Sequence, residues 1–128
     1  MNDRISDLLA RLQNGIIARK ETINVPVTKG NKGVLDILKR EEMINGYEND
    51  PEDVTMFRVT YMYTDGEPEV SKFVRISKPG LRKYVTAKDI KPVMNGRGIS
   101  IISTSQGLMS GAVAKSKKLG GELICEIW

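Results

Sequence analysis

Three hydroxyl side chains stand in succession in the stretch GISIISTSQGLMS, which runs from Gly98 to Ser110. Ser103, Thr104 and Ser105 follow a short apolar run and precede a glutamine and a glycine. Hydroxyl groups donate and accept hydrogen bonds, so they can bind phosphate oxygens, a ribose 2′-hydroxyl or the edge of a base. They can equally bond to nearby backbone groups in a turn that ends a strand. The pattern leaves both interpretations open.

The same hydroxyls are poor candidates for nucleophilic catalysis. Ser105 precedes Gln106 and Gly107, but the Gly-x-Ser-x-Gly spacing of a nucleophile elbow is absent. The chain contains no histidine, which excludes Ser–His and Cys–His nucleophile pairs and histidine metal ligands. Any catalysis would have to use carboxylates or lysines, and we assign no catalytic residue, no metal site and no cofactor.

A second polar segment, RISKPGLRKY, spans residues 75–84 and surrounds a proline-glycine pair with cations. Pro79 and Gly80 fit the central positions of a type II turn. Tyr84 can stack on a base or donate a hydrogen bond, and the neighbouring cations can contact phosphates. A solvated hairpin rim is the alternative. The candidate phosphate contacts are Lys78, Arg82 and Lys83.

Positive charge is concentrated in the C-terminal part of the chain. Residues 1–71 hold 9 Lys and Arg against 13 Asp and Glu, whereas residues 72–128 hold 11 against 3. The net charge of +4 is therefore a −4 part joined to a +8 part. This asymmetry indicates a face for a polyanion, with basic residues scattered for solubility as the alternative.

Length and composition predict one compact unit of 128 residues or two small lobes. No apolar run approaches the ~20 residues of a membrane-spanning helix, and residues 1–17 lack the apolar core of a signal peptide. Cys125 is the single cysteine, so it permits no internal disulfide and is expected in the core. The expected compartment is a reducing cytoplasm.

The N-terminal lobe is predicted to have the order α-β-α-β-β. Apolar residues at helical spacing predict a helix over 3–19, and Pro26 makes the following strand, TINVPV, an edge or bulged strand. Asn31 is predicted to cap a second helix that ends near Met43. The Asn45-Gly46 pair and the acidic ENDPED segment are predicted to form a turn and a surface loop.

Two further strands, VTMFRVTYMY and EVSKFVRI, are predicted to pair as a hairpin through Asp65-Gly66. Beyond them, Thr86 with Asp89 resembles a capping box on a very short helix. Ser110 is predicted to cap a helix that runs through Lys118 and is ended by Gly120. In the closing strand ELICEIW, alternate residues are predicted to share one face; these are Leu123, Cys125 and Ile127.

The fold class is therefore α+β with two small lobes, an N-terminal lobe over residues 1–76 and a C-terminal antiparallel β lobe with a short helix over residues 77–128. Three motifs occur in order along it: NDRISDLLARLQNG, ISKPGLRKY, and GISIISTSQGLM followed by LGGELICEIW. Together they resemble the opening helix, basic proline-glycine turn, hydroxyl loop and double glycine of the bacterial-type small-subunit ribosomal protein eight family.

The resemblance implies a non-catalytic structural protein that binds the central domain of small-subunit ribosomal RNA early in assembly. It implies neighbours among the small-subunit ribosomal proteins, numbers five and twelve, and a location in ribosomes of the cytoplasm or of an organelle. Some members also repress translation of their own messenger RNA. The implied RNA contacts are Ser103, Thr104, Ser105, Gly107, Lys78, Pro79, Gly80, Arg82, Tyr84 and Glu122, with weaker ones at Arg4, Arg11, Asn14, Lys29 and Lys32.

The chain departs from the family pattern in four places. Gln106 stands where a basic residue is common, and SGAVAK stands where a threonine-aspartate-arginine-glutamate run is common. Arg4 replaces a common proline, and Gln13 replaces a common arginine. Contacts from the hydroxyl loop are therefore expected to be less electrostatic than is usual in the family.

Two other functions stay open on the residues alone. A small carboxylate enzyme, for example a nuclease, would depend on Glu41, Glu42 and the acidic ENDPED segment. A protein-interaction module would carry its basic face incidentally. Nucleotide hydrolysis is disfavoured, because TKGNKG lacks the spacing and the terminal Lys-Ser/Thr of a Walker loop.

Overall fold

The computed structural model describes the backbone from Asp3 to Trp128 and the side chains from Ile5 onward. The described chain forms two compact units, one ending at Ser71 and one beginning at Lys72. The first unit contains α1 (Asp3–Ile17), β1 (Thr22–Pro26), α2 (Lys29–Arg40), β2 (Ile44–Asp50), β3 (Asp53–Tyr61), β4 (Tyr63–Thr64) and β5 (Glu67–Pro68). The second contains β6 (Phe73–Arg75), β7 (Tyr84–Val85), β8 (Ile99–Thr104), β9 (Gly107–Ser110), α3 (Gly111–Ser116) and β10 (Gly121–Ile127), with 3-10 helices at Ala87–Asp89 and Met94–Gly96. The predicted α+β class is confirmed, and the lobe limits at residues 76 and 77 stay a prediction.

The N-terminal unit is a three-stranded antiparallel sheet with two helices. The strand order is β1-β3-β2, which places β1 at an edge and makes Pro26 tolerable there, as predicted. The apolar stripe of α1 is buried, with Leu8 and Leu12 fully enclosed. The Tyr61 hydroxyl on β3 donates to the Leu12 carbonyl at 2.8 Å, and burial raises the pKa of Tyr61, so the hydroxyl keeps its proton.

The predicted cap of α2 is wrong. Thr28 is the N-cap, because its hydroxyl oxygen accepts from the Asn31 backbone amide at 3.0 Å. Asn31 is buried in the first turn, where its side-chain amide donates to the Pro26 carbonyl at 2.9 Å. The helix therefore begins at Lys29 and ends at Arg40. The segment TKGNKG, residues 28–33, is the N-cap and the first five residues of this helix.

The acidic segment ENDPED is a surface turn only at Pro51 and Glu52, because residues 48–50 end β2 and Asp53 begins β3. Residues 44–50 pair with β3, and the register shifts at Asn45-Gly46, as at a β-bulge. The Asp50 carboxylate accepts from the Glu52 backbone amide at 2.9 Å and closes the short turn between the strands. The predicted last two strands of the lobe are therefore wrong as a pair: β2, which was not predicted, precedes β3, and the short strands β4 and β5 follow it.

The predicted long hairpin is likewise wrong. Asp65 and Gly66 form the expected turn, with φ of 53° and 80°, but they join only the two-residue strands β4 and β5. The segment EVSKFVRI contributes β6, which pairs with β10 in the C-terminal unit. The position of this segment is therefore set by its backbone pairing with β10, and not by the local turn.

The C-terminal unit is an antiparallel sheet of order β6-β10-β8-β9, with β7 also paired to β10. A β-bulge in β10 separates Leu123, which pairs with Ile102, from Cys125, which pairs with Ile101. Because consecutive residues of a strand point to opposite faces, Leu123 does not share the face of Cys125 and Ile127, contrary to the prediction.

The short helix α3 begins as predicted and ends earlier. The Ser110 hydroxyl oxygen accepts from the Val113 amide at 3.3 Å and caps the helix. Lys118 has φ of 60°, so the helix ends at Ser116 before reaching Gly120. No helix in the described part of the chain is long and apolar enough to cross a membrane.

Candidate nucleic-acid interface

The hydroxyl stretch is the tip of the hairpin between β8 and β9. Thr104 pairs with Gly107, and the two exposed residues between them, Ser105 and Gln106, form the turn. Gly107 has φ of 102°, a conformation that is readily reached only by glycine. The turn chemistry, and not a catalytic elbow, therefore explains why a glycine follows the hydroxyls.

The three hydroxyls differ in what they do. The Thr104 hydroxyl donates to the Gly107 carbonyl at 2.9 Å and accepts from the Gln106 amide at 3.0 Å. Among the described residues, the hydroxyls of Ser103 and Ser105 have no hydrogen-bond partner. The local-turn interpretation thus holds for Thr104, while Ser103 and Ser105 are available to a ligand.

Three predicted contacts that are distant in sequence lie in one row across the sheet. Ser103 on β8 is directly opposite Glu122 on β10, and Glu122 is directly opposite Tyr84 on β7. Side chains at directly opposed positions lie on the same face, and adjacent strands are about 4.8 Å apart. A hydroxyl, a carboxylate and an aromatic ring that is 71% exposed therefore line up as neighbours.

The double glycine allows this row to form. A Cβ at Gly121 would lie 2.1 Å from the Ser103 carbonyl oxygen, which is far inside van der Waals contact. A Cβ at Gly120 would lie 2.5 Å from the Val85 carbonyl oxygen. The start of β10 can therefore approach both neighbouring strands only because these two residues have no side chain.

The proline-glycine turn lies beside the row and presents exposed residues. Lys78 and Leu81 exchange backbone hydrogen bonds of 3.1 and 2.9 Å across Pro79 and Gly80. Gly80 does not have the positive φ that a type II turn needs, so the turn is present but its predicted type is wrong. Leu81 is 59% exposed at the turn, an apolar surface residue that the sequence reasoning missed.

A buried serine connects the turn to the row. The Ser77 hydroxyl donates to Glu122 Oε2 at 2.5 Å and accepts from the Lys83 amide at 3.2 Å. Arg82 Nη1 donates to the same carboxylate oxygen at 3.2 Å. The Ser77 bond, followed by Arg82, lowers the pKa of Glu122, so this carboxylate stays ionised. The sequence reasoning missed Ser77, whose only signal was its position before the lysine-proline-glycine turn.

The predicted contacts in the N-terminal unit are more dispersed. Arg11 and Asn14 line an open groove of about 830 Å³ along the edge strand β1. Lys29 is exposed in the first turn of α2, and Lys32 binds the Asp36 carboxylate at 2.9 Å. The side chain of Arg4 lies outside the described residues. The groove also contains cations and an amide that were not predicted, at Lys20, Asn24 and Arg58.

The carboxylates proposed for an enzyme are not assembled into a site. Within the part of the chain that the structure describes, no group of three or more Asp, Glu or Cys residues could hold a metal ion. Cys125 is buried, and burial raises the pKa of its thiol to about 12, so it is not a thiolate at neutral pH. The serine hydroxyls have no histidine to activate them.

The chain is similar along its whole length to known proteins of the small ribosomal subunit. The small ribosomal subunit protein uS8 of Caulobacter sp. (strain K31) is 40% identical over 130 residues, covering 100% of this chain and 98% of that protein. The same-named protein of Rippkaea orientalis is 42% identical over 130 residues, covering 99% and 98%. Protein uS8c of Oltmannsiellopsis viridis is 37% identical over 128 residues, covering 100% and 99%.

The family model described as ribosomal protein S8 matches residues 3–128. The chain therefore belongs to the ribosomal protein S8 family, whose members are structural proteins of the ribosome and not enzymes. The family resemblance stated from the three motifs is confirmed.

Proposed function

We propose that this chain, a structural constituent of the small ribosomal subunit, binds the central domain of small-subunit ribosomal RNA through its C-terminal unit. The row of Ser103, Glu122 and Tyr84 carries the proposal, because it places an unpaired hydroxyl and an ionised carboxylate beside an exposed ring. All the predicted C-terminal contacts belong to this row, to the hairpin tip or to the adjoining proline-glycine turn.

Each group in the row suits one part of an RNA ligand. The hydroxyls of Ser103 and Ser105 can bond to a ribose 2′-hydroxyl, a phosphate or a base edge. The ionised Glu122 can accept from an exocyclic base amine, and Tyr84 can stack on an unpaired base. A regular A-form helix hides its base edges in a narrow major groove, so the target is a distorted or unpaired RNA feature.

Charge adds attraction that does not depend on sequence. Lys78 and Lys83 are exposed and have no acidic partner among the described residues. Phosphate contacts of this kind release counterions, so affinity falls as salt rises. Gln106 at the hairpin tip supplies hydrogen-bonding groups without charge, which makes the tip itself less sensitive to salt than the turn.

The N-terminal unit would add weaker contacts through Arg11, Asn14, Lys29 and Lys32. Ribosomal proteins five and twelve are the proposed neighbours in the subunit. A structure in the chain's own messenger RNA that resembles the ribosomal target would bind the same C-terminal surface and repress translation. These finer assignments follow the family resemblance.

The first test replaces one unpaired hydroxyl. Ser105→Ala should lower affinity for small-subunit RNA about fivefold, because a typical hydrogen bond contributes about 1 kcal/mol. Ser71→Ala, which removes an exposed hydroxyl in the other unit, is the matched control. Equal binding by Ser105→Ala and the parent, with unchanged stability, would show that the loop assignment is wrong.

Footprinting of small-subunit RNA with the parent chain should show protection in the central domain. Incubation of the same RNA with the protein and Mg²⁺ should leave the RNA intact, whereas cleavage would favour the nuclease alternative. Binding that does not respond to salt would favour the protein-interaction alternative.

A further inference from the structure

A second set of cations lies on the C-terminal unit, outside the row and the proline-glycine turn. Its members are in or next to the first 3-10 helix and directly after α3, and all are exposed. The set, called the lysine face below, consists of Lys88, Lys91, Lys117 and Lys118.

The core of the unit brings the two segments of the lysine face together. Ile90 and Ala114 are buried in one apolar cluster with Ile102 and Met109. Lys115 Nζ donates to the Ile90 carbonyl at 3.1 Å, which ties the last turn of α3 to the chain between Lys88 and Lys91. The four exposed lysines therefore lie on either side of the contact between Lys115 and Ile90, which holds the two segments together.

These lysines have no internal counter-charge. None of the four forms an ion pair among the described residues, and α3 contains no acidic residue. Asp89 is the carboxylate within this segment, and it accepts a hydrogen bond from the Thr86 hydroxyl at 2.9 Å. The SGAVAK segment thus replaces a run of mixed charge with apolar residues and lysine.

Lys118 stands where the backbone favours glycine. It follows the C-cap of α3 with φ of 60°, and the next amide, Leu119 N, bonds to the Ala114 carbonyl at 2.8 Å. Glycine is the usual residue at this position of a helix end, because a side chain is strained in the left-handed region. The backbone conformation therefore does not explain a lysine at this position.

We propose that the lysine face binds the phosphate backbone of small-subunit ribosomal RNA at a place separate from the target of the hydroxyl loop. This inference rests on the proposed function. The lysine face would add a contact that depends on the charge of the RNA and not on its sequence. Its residues lie outside the motifs that identify the family.

The decisive experiment compares two double variants. One neutralises two adjacent cations at the end of α3, and the other neutralises two adjacent cations at the end of α2. Lys117→Gln/Lys118→Gln should reduce the slope of log affinity against log salt by about 1.4 to 1.8, since each phosphate contact contributes roughly 0.7 to 0.9. Lys39→Gln/Arg40→Gln removes the same charge from the end of α2 and should leave the slope close to that of the parent.

A single substitution separates RNA binding from a role in stability. Lys118→Gly removes one charge and relieves the strained backbone, so Tm should rise by a few degrees while RNA affinity and its salt slope fall. A lysine that served only the helix dipole would give no loss of RNA affinity. An unchanged affinity for Lys118→Gly would therefore overturn the proposal.

The outcomes distinguish this inference from the proposed function. If the parent does not bind the RNA, both fail. If the parent binds, Ser105→Ala binds more weakly, and Lys117→Gln/Lys118→Gln matches the Lys39→Gln/Arg40→Gln control, only the lysine face is wrong. If RNA binding is unchanged but the variant no longer enters small subunits, the face binds a protein and the RNA assignment is wrong.

Discussion

The two units use the same cationic residue types in different ways. In the N-terminal unit, four of the eight cations with described side chains are tied to carboxylates: Arg11 to Asp7 at 2.9 Å, Arg19 to Glu67 at 3.5 Å, Lys32 to Asp36 at 2.9 Å and Arg58 to Asp50 at 3.2 Å. In the C-terminal unit, Lys78, Lys83 and the lysine face have no acidic partner among the described residues, while Arg82 is paired with Glu122.

This difference shows why a count of basic residues is a poor guide to a polyanion site. A surface ion pair contributes about 0–1 kcal/mol to stability, but its cation is already partly neutralised. A phosphate must then compete with the carboxylate. The C-terminal unit is therefore expected to supply most of the salt-dependent RNA affinity, and the N-terminal unit to contribute less.

The largest expected loss of stability comes from a substitution that disrupts the row of Ser103, Glu122 and Tyr84. Gly121→Ala would place a Cβ 2.1 Å from the Ser103 carbonyl oxygen, so the strands must separate. The free energy of unfolding should fall by about 3 kcal/mol, measured by urea denaturation. Gly80→Ala is the control, because no atom lies within 4 Å of its Cβ and its φ is not positive. Equal stability of the two variants would contradict the close approach.

The next effect tests the connection through Ser77. Ser77→Ala should reduce the free energy of unfolding by about 1–2 kcal/mol near neutral pH, because the half-buried Glu122 carboxylate loses its nearest donor. A carboxylate whose pKa is lowered in the folded state stabilises the fold above its ordinary value of 4.5, and that contribution is lost as the pH falls through the folded pKa.

The loss caused by Ser77→Ala should therefore shrink in acid, which denaturation at about pH 7 and about pH 3.5 will measure. Asp50 of the N-terminal unit is the internal comparison. Its pKa is lowered chiefly by the Glu52 backbone amide, and it does not contact Ser77. The same loss at both pH values would mean that Ser77 fills space and does not hold the Glu122 charge.

The smallest effect sharpens the comparison between paired and unpaired cations. Lys78→Gln should lower the salt slope of RNA binding by about 0.7 to 0.9, whereas Lys32→Gln should lower it by less because Asp36 already holds that ammonium. Filter binding over a range of salt concentrations measures both slopes. Equal slopes for the two variants would show that pairing in the free protein does not limit phosphate contact.

Local pattern predicted much of the fold and of the site. Helical spacing found α1, alternation found β3 and, apart from the bulge at Leu123, β10, and Pro26 identified the edge strand. The hydroxyl loop and the proline-glycine turn were found as polar motifs between strands. These features succeed because they depend on side chains within a few residues of each other.

The missed features depend on partners far away in the chain. β2 is acidic and polar, and only its pairing with β3 makes it a strand. β6 follows a good hairpin turn but pairs with β10, about fifty residues later. The bulge that turns Leu123 away from Cys125, and the buried bond from Ser77 to Glu122, likewise have no local signal.

The sequence by itself determined the family, the α+β class, the basic C-terminal part and the residues of the hydroxyl loop, because motifs, charge and hydrophobic period are properties of neighbouring residues. Only the tertiary structure decided which of those residues are available. Strand register placed Ser103, Glu122 and Tyr84 in one row, and contacts between strands or loops tied Arg58 to Asp50 and Arg82 to Glu122. Hydrogen bonds and ion pairs depend on distances of about 3 Å, and those distances are set by packing and not by spacing along the chain.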